Sequence, residues 1–443
     1  MAARNNDFFP PKQPVRFLIG GVHFGHQNIG DEAILAGIVT VLRNIAPNCI
    51  ITVLTDNPDG STSNLLCVKT FRFRLYTTRK TGGYKRAFRL MSRMLENVLH
   101  AYAVFRHDII ICAGATILSD SPATVIRLSS FGLAANKRLI YFPGGMNSGN
   151  PNSTLEKLVF LSREFDLFLT RDPDSRQRLI SAGCKKQQII CTIDPAFNVK
   201  GWEIEQKRAL RYVPWLTGGL PVVAIGISNE PDCEQHNHPK QWAMIADFVI
   251  EKFGAHVLFL PSNTESGKDL VVMKKTHALM KYRKKAMIIE KELEPKVMIA
   301  LIAHLELMIS SRMHQLIFSA MATTPFIGIS RCDKTDTFLS FFDMKAAAST
   351  QNCTLGRLRF TLEETWGQRE EIKKHIAGVT KKLYARSLET ELLVRNCLEK
   401  IYMMPVQKRP WSLRLRFLLK AFFMKLGKDT KKTPPPVAPS GDN

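Results

Sequence analysis

Short β-prone runs alternate with helical stretches along the chain, and this alternation restricts its possible folds more than any other feature. The first run, residues 15–20, is followed by a glycine-rich turn and then by apolar residues at helical spacing. Similar runs begin near residues 49, 108, 138, 165 and 189, and a second series begins near residues 222, 256, 287, 305 and 325. Such an order indicates parallel sheets covered by helices. We therefore predict an α/β protein with two Rossmann-like domains facing across a cleft, followed by a C-terminal helical extension.

The pattern weakens between about residues 198 and 219, where we place the domain boundary. The first domain is predicted to span residues 1–205 and to include the basic segment 69–93. The other predicted units are a second domain at 206–356, a charged helical segment at 357–403, and a basic amphipathic helix with a disordered tail at 404–443.

The 443 residues include 62 Lys or Arg and 39 Asp or Glu, which gives a formal net charge of +23. This charge fits nucleic acid, an anionic membrane face or acidic substrates, and it does not choose among them. The nine cysteines form no C-x-x-C pair, which argues against a zinc ribbon or a disulfide framework. The sequence shows neither the apolar core of a signal peptide nor an apolar run long enough to span a membrane. We therefore expect a soluble, cytoplasmic protein.

Ligands of such folds bind beyond the carboxyl ends of the strands, so the residues after each strand are the first candidates. The turn at residues 28–35, Asn-Ile-Gly-Asp-Glu-Ala-Ile-Leu, combines a helix start with a glycine that lets a ligand approach closely. Alternatively, Asp31 caps the helix and Glu32 interacts favourably with its positive end.

A second candidate is Ser310-Ser-Arg-Met-His314, which follows a strand and opens a helix. If Ser310 or Ser311 caps this helix, Arg312 and His314 lie in its first turn, where the helix dipole favours a neutral imidazole. A neutral imidazole is the resting form of a general base, and an Arg can bind phosphate or carboxylate in bidentate fashion. The alternative is that His314 is a hydrogen-bonded core residue and Arg312 pairs with an acid.

A third candidate is Arg171, which lies between a strand end and a helix start and suits anion binding. Alternatively, Arg171 forms an ion pair with Asp172 or Asp174. The pairs His23/His26 and His236/His238, the second near Cys233 and Glu234, match no recognised zinc spacing, so we predict no metal site. Motifs of P-loop NTPases, zincins and α/β-hydrolases are also missing from the sequence.

At these residues the sequence resembles the polysaccharide pyruvyl transferase family. Residues 28–35 resemble its N-terminal signature, Arg171-Asp172 with Ser175 its R-D-x-x-S element, residues 194–197 its D-P-A-F motif, and Arg312-Met-His314 its R-x-H segment. The glycine run that precedes Thr116 in the family is reduced here to Gly114.

The resemblance implies a GT-B-like fold and transfer of the enolpyruvyl-derived group of phosphoenolpyruvate to two hydroxyls of one sugar. The product would be a cyclic pyruvate ketal on a cell-surface polysaccharide, such as an exopolysaccharide, or on its lipid-linked precursor. On this basis Arg171 and Arg312 clamp the donor, His314 carries a proton step, and Glu32 or Asp31 is the complementary acid or base. Asn28, Gly30 and Gly114 are further candidate substrate contacts, and the first domain is expected to form the acceptor side. The chemistry requires phosphoenolpyruvate as donor substrate and no additional cofactor or metal.

Two basic clusters suggest a further partner. Residues 60–95 contain no acid and nine Lys or Arg, interleaved with aromatics. Residues 408–426, read as a helix, place one apolar stripe between basic residues, a pattern that suits an anionic membrane surface; the stripe comprises Trp411, Leu415, Leu418, Phe422 and Leu426. Alternatively, this stripe docks on the protein body. Nucleic acid is a weaker candidate, because the sequence contains no recognised nucleic-acid motif.

Two other functions remain open at this point. One is a GT-B glycosyltransferase that uses a nucleotide sugar, although we find no clear Glu-containing signature for it. The other is a non-catalytic basic protein that binds membrane or nucleic acid. The pyruvyl transferase interpretation places the protein in the cytoplasm, peripheral to the inner face of the cytoplasmic membrane.

Overall fold

The computed structural model describes residues 14–21, 24–55, 57–58, 66, 68–72, 85–114, 116–120, 122–147, 152–229, 238–403 and 408–423. Within these ranges the chain forms two parallel sheets, each covered by helices, as the alternating sequence pattern predicts.

The first sheet has seven strands in the order β3-β2-β1-β4-β5-β6-β7, and every pair is parallel. Its strands are β1 (Arg16–Gly21), β2 (Ile50–Thr55), β3 (Lys69–Arg72), β4 (Ile109–Ala113), β5 (Arg138–Gly144), β6 (Leu167–Thr170) and β7 (Ile189–Cys191). The helices of this part are α1 (Ile29–Ile45), α2 (Lys85–Phe105), α3 (Ile117–Asp120), α4 (Pro122–Ala134), α5 (Asn152–Ser162) and α6 (Pro173–Ser181).

Helices cover both faces of this sheet, so its central strands are buried on both sides. In β1, Phe17 and Ile19 pack into the core on one face, and Leu18 packs into the core on the other. Continuous apolar strands such as Ile109–Ala113 are what this doubly covered arrangement requires.

The second sheet has six parallel strands in the order β10-β9-β8-β11-β12-β13. They are β8 (Val222–Gly226), β9 (His256–Phe259), β10 (Ala286–Ile288), β11 (Leu307–Ser310), β12 (Phe326–Ser330) and β13 (Ala348–Ser349). The helices up to β13 are α7 (Gln206–Leu210), α8 (His238–Phe253), α9 (Asp269–Leu279), α10 (Pro295–Ile302), α11 (Met313–Met321) and α12 (Asp333–Ser340). Short 3₁₀ turns cover Pro195–Asn198, Glu203–Glu205, Pro214–Thr217 and Arg283–Lys285.

Three helices follow the second sheet: α13 (Leu355–Gly367), α14 (Arg369–Met403) and α15 (Trp411–Phe423). The 35-residue helix α14 connects the two domains along its length. Its Ile376 and Leu383 pack with the second-sheet helices, whereas Val394 and Leu398 pack in the core beside α1. This helix therefore fixes one domain against the other on the side of α1.

Helix α15 docks on the first domain. Phe417 and Ala421 are buried, Phe422 packs edge-on against Phe131 of α4 at 5.3 Å, and Arg414 donates to the carbonyl of Ala134. Trp411, a member of the predicted apolar stripe, is 72% exposed, so the docking alternative does not describe this residue. The buried face differs from the predicted stripe because the contact with α4 selects Phe417 and Ala421. Leu426 of that stripe lies outside the described residues.

The domains also meet directly where α1 begins. The backbone N–H of Ile29 donates to the carbonyl of Ser262 at 2.9 Å, and Asn28 forms a β-bridge with Asn263. An ion pair of 2.8 Å joins Arg178 of α6 to Asp333 of α12. None of the helices in the described ranges is long and apolar enough to cross a membrane.

Candidate functional site

The candidate side chains lie at the carboxyl ends of strands from both sheets. Arg171 follows β6, Asp194 follows β7 and Gly114 follows β4, all in the first domain. Arg312 and His314 follow β11 of the second domain. This is the edge at which parallel sheets bind their ligands.

Arg171 is buried, with only 4% of its side chain exposed. Its Nη1 donates to Oδ2 of Asp194 at 3.0 Å, and its Nε lies 3.5 Å from Oδ2 of Asp172. The guanidinium also lies against Gly145, because a Cβ placed there would come within 2.7 Å of both Nε and Nη2. In the part of the chain that the structure describes, Nη2 has no hydrogen-bond partner. A buried guanidinium N–H without an acceptor is costly and marks a place where an anion can bind.

The R-D-x-x-S element holds this arginine in position. Asp172 caps α6 by accepting from the backbone N–H of Ser175 at 2.7 Å, with Pro173 as the first helical residue. The Ser175 hydroxyl then accepts from the N–H of Met146 at 2.8 Å. The motif therefore ties the start of α6 to the end of β5, where Gly145 receives the guanidinium.

Asp194 connects Arg171 to the second domain. Its Oδ1 accepts from the N–H of Ala196 at 3.0 Å and caps the 3₁₀ turn that follows. Its Oδ2, which binds Arg171, lies 3.8 Å from Nε2 of His314. The D-P-A-F motif thus supplies a fixed carboxylate between a buried cation and an imidazole.

His314 lies in the first turn of α11, close to the start of α1. Burial lowers its pKa to about 4, and the positive charges of Arg171, Lys334 and Arg312 act in the same direction, while Asp194 opposes them. Among the described residues, its Nε2 has no hydrogen-bond partner within normal distance. The imidazole is therefore neutral at neutral pH and keeps one ring nitrogen available.

Gly30 makes room for this ring. A Cβ at position 30 would lie 2.6 Å from Cγ of His314 and 2.8 Å from its Cε1, which no side chain tolerates. The glycine of the N-terminal signature is thus explained by contact with the R-x-H segment of the other domain.

Arg312 is paired with a carboxylate that the sequence analysis did not identify. Its Nε donates to Oδ2 of Asp269 at 3.2 Å, and its Nη2 donates to Oδ1. Asp269 is fully buried and also accepts from the N–H groups of Ser262 and Asn263. Arg312 keeps 16% of its side chain exposed. In this structure Arg312 therefore pairs with an acid, which is the alternative that the sequence left open.

The cap of α11 differs from the prediction. Arg312 itself occupies the N-cap position without a side-chain cap bond, so neither Ser310 nor Ser311 caps the helix. The Ser310 hydroxyl instead accepts from the N–H of Arg312 at 2.8 Å and donates to Gln315. Extended backbone at Arg312 delays the helix to Met313, which makes the serines part of the strand end.

The start of α1 also differs from the alternative in which Asp31 caps it. Asn28 is the N-cap, with its Oδ1 accepting from the N–H of Gly30, while its Nδ2 donates to Asp31 at 2.7 Å. Glu32 is buried and accepts from the N–H of Gly25. Both carboxylates therefore organise the turn before α1.

Gly114 adopts a φ of +149° directly after β4. A Cβ on Gly144 would lie 2.8 Å from the carbonyl oxygen of Gly114, so the ends of β4 and β5 are close together here. Gly114 thus lies at the same edge of the sheet as Arg171 and adds no side chain of its own there.

A pocket between the domains adjoins Arg171 and Asp194. Its second-domain wall includes Lys334, at the start of α12, which the sequence analysis did not single out. The lining residues are Arg171, Asp172, Ile193, Asp194, Phe197, Met313, Ile317, Lys334, Thr337, Phe338 and Phe341. The pocket thus combines two cations and two carboxylates with an apolar wall, a lining that suits a small polar organic ligand.

No cluster of three or more His, Cys, Asp or Glu suitable for a metal ion occurs among the residues with described structure. His238 is buried at the start of α8, whereas His23, His236, Cys233 and Glu234 lie outside the described residues.

The family model described as polysaccharide pyruvyl transferase matches residues 28–333, more than half of the chain. The chain belongs to this family. The match begins at the Asn28 cap and ends at Asp333, so it includes Arg171, Asp194, Arg312 and His314. It supports assignment of the chain as a transferase of polysaccharide biosynthesis. No match was found among curated proteins.

Several solved structures share the fold at low sequence identity. A UDP-GlcNAc 2-epimerase from Neisseria meningitidis bound to UDP-GlcNAc has 11% identity and a TM-score of 0.63, covering 88% of this chain and 100% of its own. A putative UDP-N-acetylglucosamine 2-epimerase from Listeria monocytogenes has 10% identity and a TM-score of 0.63, with coverages of 90% and 100%. Anabaena HepE in complex with UDP and glucose has 9% identity and a TM-score of 0.57, with coverages of 87% and 99%. These similarities show the GT-B-like fold that was predicted.

Proposed function

We propose that this protein transfers the enolpyruvyl-derived group of phosphoenolpyruvate to a sugar, forming a pyruvate ketal. The observation that carries the proposal is the buried Arg171 guanidinium beside the Asp194–His314 pair, whose Nη2 has no acceptor within the described part of the chain. Family membership supports the same reaction class.

The donor carries a carboxylate and a phosphate, so its site needs positive charge. Arg171 and Lys334 line the interdomain pocket, and Arg312 is close enough to contribute to the lowered pKa of His314. Fixed cations of this kind stabilise the charge that develops on a departing phosphate. Both arginines are paired with carboxylates, but only Arg171 has a buried N–H group, on Nη2, that lacks an acceptor among the described residues, so we assign Arg171 the larger part in binding the donor.

The neutral state of His314 suits it to act as a base. With a pKa of about 4, the neutral ring has one unprotonated nitrogen that can accept a proton from a sugar hydroxyl, and it is not an imidazolium acid at rest. Asp194, 3.8 Å away, would stabilise the imidazolium that forms. Overall, two hydroxyls add to C2 of the donor, C3 gains one of their protons, and the phosphate leaves with the other.

The acceptor we propose is a polysaccharide or its lipid-linked precursor, modified by a protein peripheral to the membrane. Neither a nucleotide nor a metal is needed for the proposed steps. Glu32 and Asp31 already hold the turn before α1, so we assign them a positioning role around Asn28 and Gly30.

Calorimetric titration of phosphoenolpyruvate, beside a panel of UDP-sugars, tests the donor. Saturable phosphoenolpyruvate binding is expected. It should weaken by about tenfold to a hundredfold in Arg171→Lys, which keeps the charge and loses the planar guanidinium. Arg312→Lys should weaken binding less. Arg359→Lys is the matched control, because Arg359 is 63% exposed on α13 and should leave binding unchanged.

Binding of a UDP-sugar without phosphoenolpyruvate would contradict the proposal and support a glycosyltransferase. Equal phosphoenolpyruvate affinity in wild type and folded Arg171→Lys would contradict the assigned site. Circular dichroism of each variant separates loss of binding from loss of structure.

A further inference from the structure

An apolar stripe on helix α2 faces away from the protein. Six large apolar side chains on this helix are each between 49% and 62% exposed: Met91, Met94, Leu95, Val98, Tyr102 and Phe105. Their spacing of three and four residues places them on one side of the helix. Asn97, His100 and Val104 are buried on the other side. The stripe therefore remains uncovered although α2 is already packed on the domain.

The length of the stripe makes it more than a scatter of surface residues. From Met91 to Phe105 it extends about 21 Å at 1.5 Å per residue. Contiguous apolar surface of this extent is unusual on a soluble monomer and commonly marks an interaction surface.

The fold adds a second apolar edge beside this helix. Asn97 of α2 donates to the carbonyl of Phe422 at 3.1 Å, so α15 lies next to α2. Trp411 and Leu419 of α15 are 72% and 47% exposed. Tryptophan and leucine on a surface helix are typical of the boundary between lipid headgroups and acyl chains.

The positive charge of the segments that include these helices favours an anionic partner. The acid-free stretch 60–95 carries nine Lys or Arg and runs into α2. Residues 400–428, which include α15, carry eight Lys or Arg and no acid. Docking of α15 beside α2 brings together the parts of these two stretches that the structure describes on the two helices. A second copy of the chain would bring the same positive charges against each other in a two-fold interface.

We propose that the exposed faces of α2 and α15 form a docking surface for an anionic phospholipid bilayer. The apolar stripe enters the headgroup region while the flanking basic residues contact anionic lipids. The inference deepens the membrane association in the proposed function by locating the face, and it does not depend on the donor.

Co-sedimentation of the full chain with vesicles tests this surface. One set contains phosphatidylcholine alone, and the other is equimolar phosphatidylcholine and phosphatidylglycerol. We expect binding to the anionic set, weakened by high salt. Met94→Gln/Val98→Gln should lower the partition coefficient by about tenfold or more, because two apolar side chains no longer enter the bilayer.

The chain offers a matched control on another helix. Leu388 and Leu392 of α14 are 57% and 55% exposed with the same spacing as Met94 and Val98. Leu388→Gln/Leu392→Gln should leave vesicle binding unchanged. Equal effects of the two double variants would overturn the proposal, as would equal binding of wild type to neutral vesicles or no binding at all.

Two further measurements separate the alternatives. The first is analytical sedimentation without lipid. If it showed a dimer that Met94→Gln/Val98→Gln dissociates, the face would belong to an interface with a second copy and the proposal would be overturned. Phosphoenolpyruvate titration of the same variant should match wild type, so that failure of the membrane face and failure of the donor site are distinguishable.

Discussion

Replacing Gly30 with Ala tests the contact between the N-terminal signature and the R-x-H segment. Gly30 lies in the first turn of α1, and a Cβ there would overlap the His314 ring, with 2.6 Å to Cγ and 2.8 Å to Cε1. Only 12% of the His314 side chain is exposed and it lies beside Asp194, so the ring has little room to move away.

The two opposing contributions can be estimated. Alanine in place of a helical glycine stabilises by about 1 kcal/mol. Overpacking a closely packed site costs about 1–3 kcal/mol. We expect the clash to dominate, with a net destabilisation of about 1 kcal/mol measured by urea unfolding.

Two glycines provide controls. Gly378 of α14 has open space around its Cβ position, so Gly378→Ala should stabilise by about 0.5–1 kcal/mol. A Cβ on Gly37 of α1 would overlap the carbonyl oxygen of Pro195, so Gly37→Ala should destabilise more than Gly30→Ala. The packing argument is refuted if Gly30→Ala stabilises the protein as Gly378→Ala does.

Three further predictions follow from charges in and around the cleft. Asp269→Asn should destabilise by about 3–5 kcal/mol in urea unfolding, because it removes the carboxylate from the buried pair with Arg312; a loss below about 1 kcal/mol would count against that pairing. The pKa of His314 lies at about 4, below its usual 6.5, so the unfolded chain binds the extra proton first and stability falls as pH drops from about 6.5 to about 4. His314→Asn should reduce this slope by about 1.4 kcal/mol per pH unit, whereas an unchanged slope would show that His314 is not buried and neutral. A double-mutant cycle of Arg178→Gln and Asp333→Asn should give a coupling of about 0.5 kcal/mol, since both side chains are partly exposed; a coupling of several kcal/mol would refute this estimate.

Local sequence features predicted much of the fold and part of the site. Apolar strands ending in polar turns placed Arg171 and Arg312 at the cleft, because the carboxyl ends of parallel strands lie at one edge of each sheet. The pairing of Arg312 with Asp269, 43 residues away, was not visible because it depends on how β11 and α9 pack.

The contact between Gly30 and His314 illustrates the same limit. Both residues belonged to recognisable motifs, yet nothing local indicates that a glycine of one domain receives an imidazole of the other. The buried face of α15 was likewise decided by α4, which is nearly three hundred residues earlier in the chain.

Phosphate release tests the central claim most directly. The protein would be incubated with phosphoenolpyruvate and a glycan or lipid-linked glycan fraction, with released inorganic phosphate and glycan-bound pyruvate measured together. We expect equal amounts of both, dependent on the acceptor fraction and lost in His314→Asn. Release of UDP from a UDP-sugar in the presence of the same fraction, without phosphate from phosphoenolpyruvate, would contradict it.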